Sequence, residues 1–196
     1  MTWIATNLWE LLRPGTGKDV ARPAGRTVRD RPVPTPAAAP KRPPRSTPTM
    51  RDRYDAVVVE MKSTYGIRVR KWRNSSSGVA WELHDRAGNV SRLIEAPYPR
   101  GPISCAIFLH EIGHHAIGFR TYRPRCLEEY HTWAWALEAM RSRGLNVTPA
   151  VEHRMHDALH YAIEKARRRG LKRLPQELVP FLEPRAARRR AALITR

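Results

Sequence analysis

The pentad His110-Glu111-Ile112-Gly113-His114, entered through the apolar run Cys105-Ala106-Ile107-Phe108-Leu109, constrains this chain more than any other stretch. On a helix, His110 and His114 stand one turn apart and project from one face, so both imidazoles can reach a single metal ion. Glu111 is turned around the cylinder, where its carboxylate can act on a water instead of ligating the metal. A hydrolytic zinc site needs that arrangement: two fixed nitrogens, a third protein ligand, an open fourth position and a base. The pattern also arises by chance, as a histidine pair satisfied in a core or on a surface. Here the residues just before it and the two inside it carry no charge, as a buried active-site helix requires. This favours a metal site with Glu111 as its base.

The flanking sequence predicts an α+β domain over residues 49–183. Tyr54, Val57, Val58, Met61 and Tyr65 repeat at helical spacing, and Gly66 ends that helix. Ile67–Trp72 then alternates apolar and basic residues, Val79–His84 reads as a second strand, and Val90–Ala96 as a third. With 74–78 and 85–89 as turns, the strands are expected to form an antiparallel meander. Prolines and Gly101 interrupt the chain before the motif helix, expected over 103–117 with Gly118 as its stop. Two more helices are expected, over 126–144 and 148–169, the second opened by Thr148-Pro149. A small apolar cluster that includes Leu174, Leu178 and Phe181 is expected to tuck against the body. Residues 1–48 read as a short amphipathic helix (Trp3, Ile4, Leu8, Trp9) and a disordered Pro/Arg/Ala-rich linker. Residues 184–196 read as a basic C-terminal tail.

A third ligand separates the zinc-hydrolase classes. The extended histidine pattern needs Gly at 117 and His at 120, and the chain has Ile117 and Arg120. The alternatives are Glu128 and Glu129 on the following helix, whose apolar stripe includes Cys126, Tyr130, Trp133 and Leu137. At ~100° per residue, Glu129 borders that stripe and Glu128 lies nearly opposite it. Glu129 is therefore the expected ligand, and Glu128 a solvent-side residue of the first turn, where the helix dipole favours a carboxylate. His115 and His131 become ligands only if these faces are misjudged. His153, His156 and His160 are expected to line a boundary stripe rather than a second metal site. Cys105 and Cys126 are expected as buried thiols.

A leading helix, a small three-stranded sheet, an H-E-x-G-H helix and a Glu-bearing helix ending in aromatic-Ala follow one another here. In this the chain resembles the ImmA/IrrE-type zinc metallopeptidases, minimal gluzincins common in bacteria, phages and mobile elements, over roughly residues 49–144. The resemblance implies a minimal zincin-like domain, Zn2+ held by His110, His114 and Glu129, and Glu111 as catalytic base. It also implies hydrolysis of a peptide bond in a protein substrate, since better-known members cleave a helix-turn-helix repressor. One departure concerns the residue one turn after the glutamate ligand, commonly Asn or Asp in the family and here Trp133. The partner that orients the ligand must then come from elsewhere. A further oxyanion donor is expected from His160 or Tyr161, with the substrate added as an extended strand along the sheet edge.

Lys and Arg number 36 against 18 Asp and Glu, a formal charge of +18. That balance favours contact with DNA or RNA through the basic tails, although a basic composition of flexible ends produces the same figure without a partner. Two readings therefore stand: a zinc metallopeptidase, and a non-enzymatic nucleic-acid-associated module whose metal site is structural or decayed. They differ in whether Glu111 faces an open cleft at the metal. Two cysteines make no disulfide framework, no apolar run is long enough to span a bilayer, and the first residues lack the pattern of an export signal. A cytoplasmic protein without membrane contact is expected.

Overall fold

The computed structural model describes residues 47–185. The helix expected near the start, nearly all of the linker and the basic tail lie outside them. Helix α1, Met50–Tyr65, opens on a capping box. The Thr49 hydroxyl accepts from the Asp52 N–H at 3.2 Å, and the Asp52 carboxylate accepts from the Thr49 N–H at 2.7 Å. Gly66, at φ 62°, ends it in the left-handed region that a β-carbon disfavours. Its apolar face (Tyr54, Val57, Val58, Met61) is buried, as the periodicity predicts.

Strands β1 (Ile67–Trp72), β2 (Val79–His84) and β3 (Val90–Ala96) form one three-stranded sheet, but in the order β1-β3-β2. β2 and β3 are the expected antiparallel hairpin, closed by Asp85, whose Oδ1 accepts from the N–H groups of Ala87 and Asn89 at 2.8 Å each. β1, in contrast, pairs with β3 in parallel, from Ile67 opposite Arg92 to Trp72 opposite Ala96. The antiparallel meander is therefore corrected to a mixed sheet. The reason lies in burial. β3 is apolar on both faces where Leu93, Ile94 and Ala96 are buried, and it takes the centre. β1 carries Arg68, Arg70 and Lys71, residues suited to an edge. The segment 73–78 is a crossover and not a tight turn: it must bridge two strand spacings, ~10 Å, which its residues easily span. Arg73 pins it to the central strand, with Nε and Nη2 at 3.0 and 2.9 Å from Glu95 Oε2.

Helix α2, Pro102–Ile117, runs through the middle of the fold and is buried without a break from Cys105 to His115. A helix apolar on every side needs neighbours on every side. Strands β2 and β3, and helices α1, α3 (Arg125–Ser142) and α4 (Pro149–Arg168), supply them. Cys105 and Cys126 are free and buried, as expected. A short 3-10 helix, Gln176–Phe181, seats Leu178 at 0 % exposure, so the late apolar cluster does join the core. Among the described residues, no helix is long and apolar enough to cross a membrane.

Candidate metal centre

The site forms where α2 and α3 touch. Gly113 sets how closely they approach: a β-carbon there would lie 2.9 Å from Thr132 Cγ2 and 3.1 Å from the Thr132 carbonyl oxygen. Across this contact, His110 Nε2 and His114 Nε2 lie 3.2 and 3.7 Å from the same atom, Oε2 of Glu129. The three donor atoms all fall within 4.8 Å of one another, and the group could hold a metal ion. The two imidazoles meet edge to face at 78°, with centroids 4.8 Å apart. Glu129 thus stands where the helical wheel puts it.

Glu128 does not. The expectation of a solvent-side residue is corrected: its side chain is 1 % exposed and lies 3.9 Å from His114 Nδ1. The wheel marks which face of α3 is apolar, but not what folds over the other face. The connection into α3 does so, bringing Arg120 beside the carboxylate. Arg125 Nε lies 3.7 Å from Glu128 Oε1, and burial pushes the Glu128 carboxyl up against the pull of that cation.

Glu129 and His114 are each oriented by a polar neighbour that the sequence leaves unassigned, whereas His110 Nδ1 is buried with no hydrogen-bond partner among the described residues. Arg125, four residues before Glu129 and so on the same face, donates to Oε1 from Nε at 3.2 Å and from Nη2 at 3.1 Å. That engages one carboxylate oxygen and leaves Oε2 for the histidines. The Thr132 hydroxyl donates to the Glu128 carbonyl at 2.8 Å and stands 3.4 Å from His114 Nδ1. Its proton being committed, it can only accept from Nδ1–H, which leaves the Nε2 lone pair for a metal. Trp133 lies against the His110 ring, with centroids 4.5 Å apart. Arg125 before Glu129 and Thr132 after it are thus the polar neighbours of this group.

The electrostatics agree with a ligand set. Burial pushes the His114 imidazole down to about 3, against the opposing pull of Glu129, and so favours the form that keeps a lone pair. For Glu129, burial acts to raise the carboxyl, but the imidazoles of His114 and His110 and the Arg125 guanidinium together hold it well below its usual range. Burial, and then the charge of Glu129, pushes Glu111 well above the ordinary carboxylate range.

Glu111 is 5 % exposed. Gly78, at the end of the crossover, lies directly on it, and a β-carbon there would be 2.6 Å from the Glu111 Cδ. Arg154 of α4 donates to the Ser76 carbonyl at 2.8 Å, so it ties down the same loop, and its charge is felt at Glu111. His160 is turned to the Phe181 carbonyl at 3.2 Å. His115 faces the sheet, 3.2 Å from the Leu93 carbonyl, and His131 stacks on Tyr122. His156 is buried beside Phe181.

No family model matches this sequence, and no curated protein or solved structure matches the chain.

Proposed function

We propose that the protein is a zinc-dependent metallopeptidase of the ImmA/IrrE type, hydrolysing a peptide bond in a protein substrate. The observation that carries this reading is the convergence of two Nε2 atoms on one Glu129 oxygen, with Glu129 held by Arg125 and His114 by Thr132. The two nitrogen–oxygen separations, 3.2 and 3.7 Å, and a spread of no more than 4.8 Å among the three donors would let His110, His114 and Glu129 hold one ion. An N, N, O donor set with one neutral imidazole fixed by Thr132 fits Zn2+ better than a hard cation, which prefers oxygen alone.

Zinc bound there supplies a Lewis acid that lowers the pKa of water to ~7 and polarises a carbonyl. Glu111 takes the proton of the attacking water on its carboxylate and returns it to the leaving amine. Its burial makes it a stronger proton acceptor than a solvent-exposed carboxylate. Arg154 is a cation near Glu111, and His160, turned to the Phe181 carbonyl, is engaged elsewhere. A DNA-binding repressor is the substrate that the family resemblance makes available. Nucleic-acid contact through the basic tails concerns segments outside the described residues.

Metal content of the purified full chain and cleavage of a random peptide pool, wild type against Glu111→Gln, test the reading. Both proteins should hold zinc, and only the wild type should cleave. Zinc without cleavage by the wild type would leave a structural metal site; no zinc in either protein would dismiss the metal centre altogether.

A further inference from the structure

A second feature adjoins the metal centre. Between the start of α3 and the end of α4 lies a cleft of about 340 Å³ that shares Glu129 with the candidate metal site. Its floor is apolar, formed by Ala162, Ala166 and Leu171, and its polar lining is cationic apart from Glu129: Arg125, Lys165 and Arg169. Lys165 and Arg169 stand one turn apart on α4 and its C-terminal cap, so both can reach over one opening. Among the described residues, neither has a carboxylate partner. Arg125 already gives Nε and Nη2 to Glu129 Oε1. Burial, and then the neighbouring charges of Arg169 and Arg125, push the Lys165 ammonium down against the opposing pull of Glu129, which places the three cations within electrostatic reach of one another.

Glu129, the one carboxylate in the lining, is already engaged by Arg125 and the histidines, so Lys165 and Arg169 leave an excess of positive charge over an apolar floor that a bound anion would offset. The volume belongs to the small end of ligand pockets, ~300–1,000 Å3, and suits one residue or the end of a peptide rather than a folded surface. We infer that this cleft is a specificity pocket for a substrate carboxylate, an acidic side chain or a free C-terminus, seated next to the scissile bond. This deepens the peptidase reading and rests on it. Lys165 and Arg169 would supply the charge, and Arg125 would link the pocket to the metal ligand.

The test uses the full-length, zinc-loaded Glu111→Gln protein, which binds without turnover, and fluorescent peptides in matched pairs. One pair carries internal Glu or Gln with an amidated end; the other carries a free or an amidated C-terminus and no acidic side chain. At least one carboxylate member should bind about tenfold more tightly than its neutral partner in an anisotropy titration, and the pair that responds identifies the source. The Lys165→Gln/Arg169→Gln double variant should lose that preference, and Lys165→Glu should turn it toward a Lys-bearing peptide. Diffuse attraction by a chain of charge +18 cannot mimic this, because it survives the removal of two charges. Equal affinity for both members of each pair overturns the pocket, as does a preference that persists in the double variant. Failure of the zinc-loaded wild type to cleave any peptide, with the carboxylate preference intact, overturns the peptidase reading instead.

Discussion

Arg125 grips one oxygen of Glu129, through Nε at 3.2 Å and Nη2 at 3.1 Å, and turns the other toward His110 and His114. A carboxylate that is free to rotate would spend part of its time with neither oxygen at the imidazoles. Fixing it lowers the entropy lost on binding a metal, which is how neighbours of ligands tune affinity. Arg125→Ala should weaken zinc binding ~10–100-fold, read by competition with a chromophoric chelator. Arg125→Lys should recover only part, because an ammonium is a point charge and cannot fork onto the carboxylate. Equal affinity in all three proteins would mean that the guanidinium serves only the neighbouring cleft.

Gly78 is the next place where one substitution is informative. Its missing β-carbon leaves the space that the Glu111 carboxylate fills. Gly78→Ala forces either the crossover or Glu111 to move, at a cost of ~1–3 kcal/mol. Thermal melting should register that loss, and zinc content should not change, since His110, His114 and Glu129 lie on other elements. A melting temperature equal to that of wild type would show that the loop yields without strain.

The Glu60–Arg143 pair joins α1 to the end of α3, with Nη2–Oε1 at 2.6 Å. The hydrogen bond from Arg143 holds the Glu60 carboxyl below its usual range. A depressed carboxylate contributes stability above its unfolded value of ~4.3 and loses it as pH falls through the lower folded value. Glu60 is about half exposed, so the pair contributes no more than ~1 kcal/mol after screening. Glu60→Gln should lower the melting temperature at pH 6 and close the gap toward pH 3. A constant gap at both pH values would assign the loss to packing rather than charge.

The helices were legible because an amphipathic helix writes its period into its own residues, and the one-face placing of His110 and His114 was legible for the same reason. Glu129 followed from the wheel of α3 alone. Glu128 did not, since its burial comes from the connection that folds Arg120 over it, a segment no wheel includes. Strand order was hidden for a like cause. The alternation of β1 and the double-faced apolarity of β3 could both be read in the chain. That together they place β3 between β1 and β2 depends on a competition for the centre that neither strand records. Arg125 and Thr132 stand at helical spacing from Glu129 and Glu128, visible in the sequence, but their donation to the site and not to water depends on how closely Gly113 lets α2 approach.

The two adjacent glutamates give the sharpest test of the metal centre. Glu129 offers a donor to the imidazoles, whereas Glu128 is buried behind His114, its Oε1 3.9 Å from His114 Nδ1 and 3.7 Å from Arg125 Nε. A metal that binds only the folded state stabilises it by mass action, ~4 kcal/mol when present at a thousand times its dissociation constant. For a chain of this length that corresponds to ~8–16 °C in melting temperature. Wild type should show such a rise on adding zinc and lose it with a chelator. Glu129→Gln should lose most of the rise, because an amide is a poor zinc ligand and the two histidines alone leave the site incomplete. Glu128→Gln should keep the rise undiminished, whatever it costs the metal-free protein through loss of the Arg125 Nε–Glu128 Oε1 ion pair at 3.7 Å. If Glu128→Gln abolishes the zinc response and Glu129→Gln preserves it, the ligand assignment is reversed. If neither does, the metal lies elsewhere.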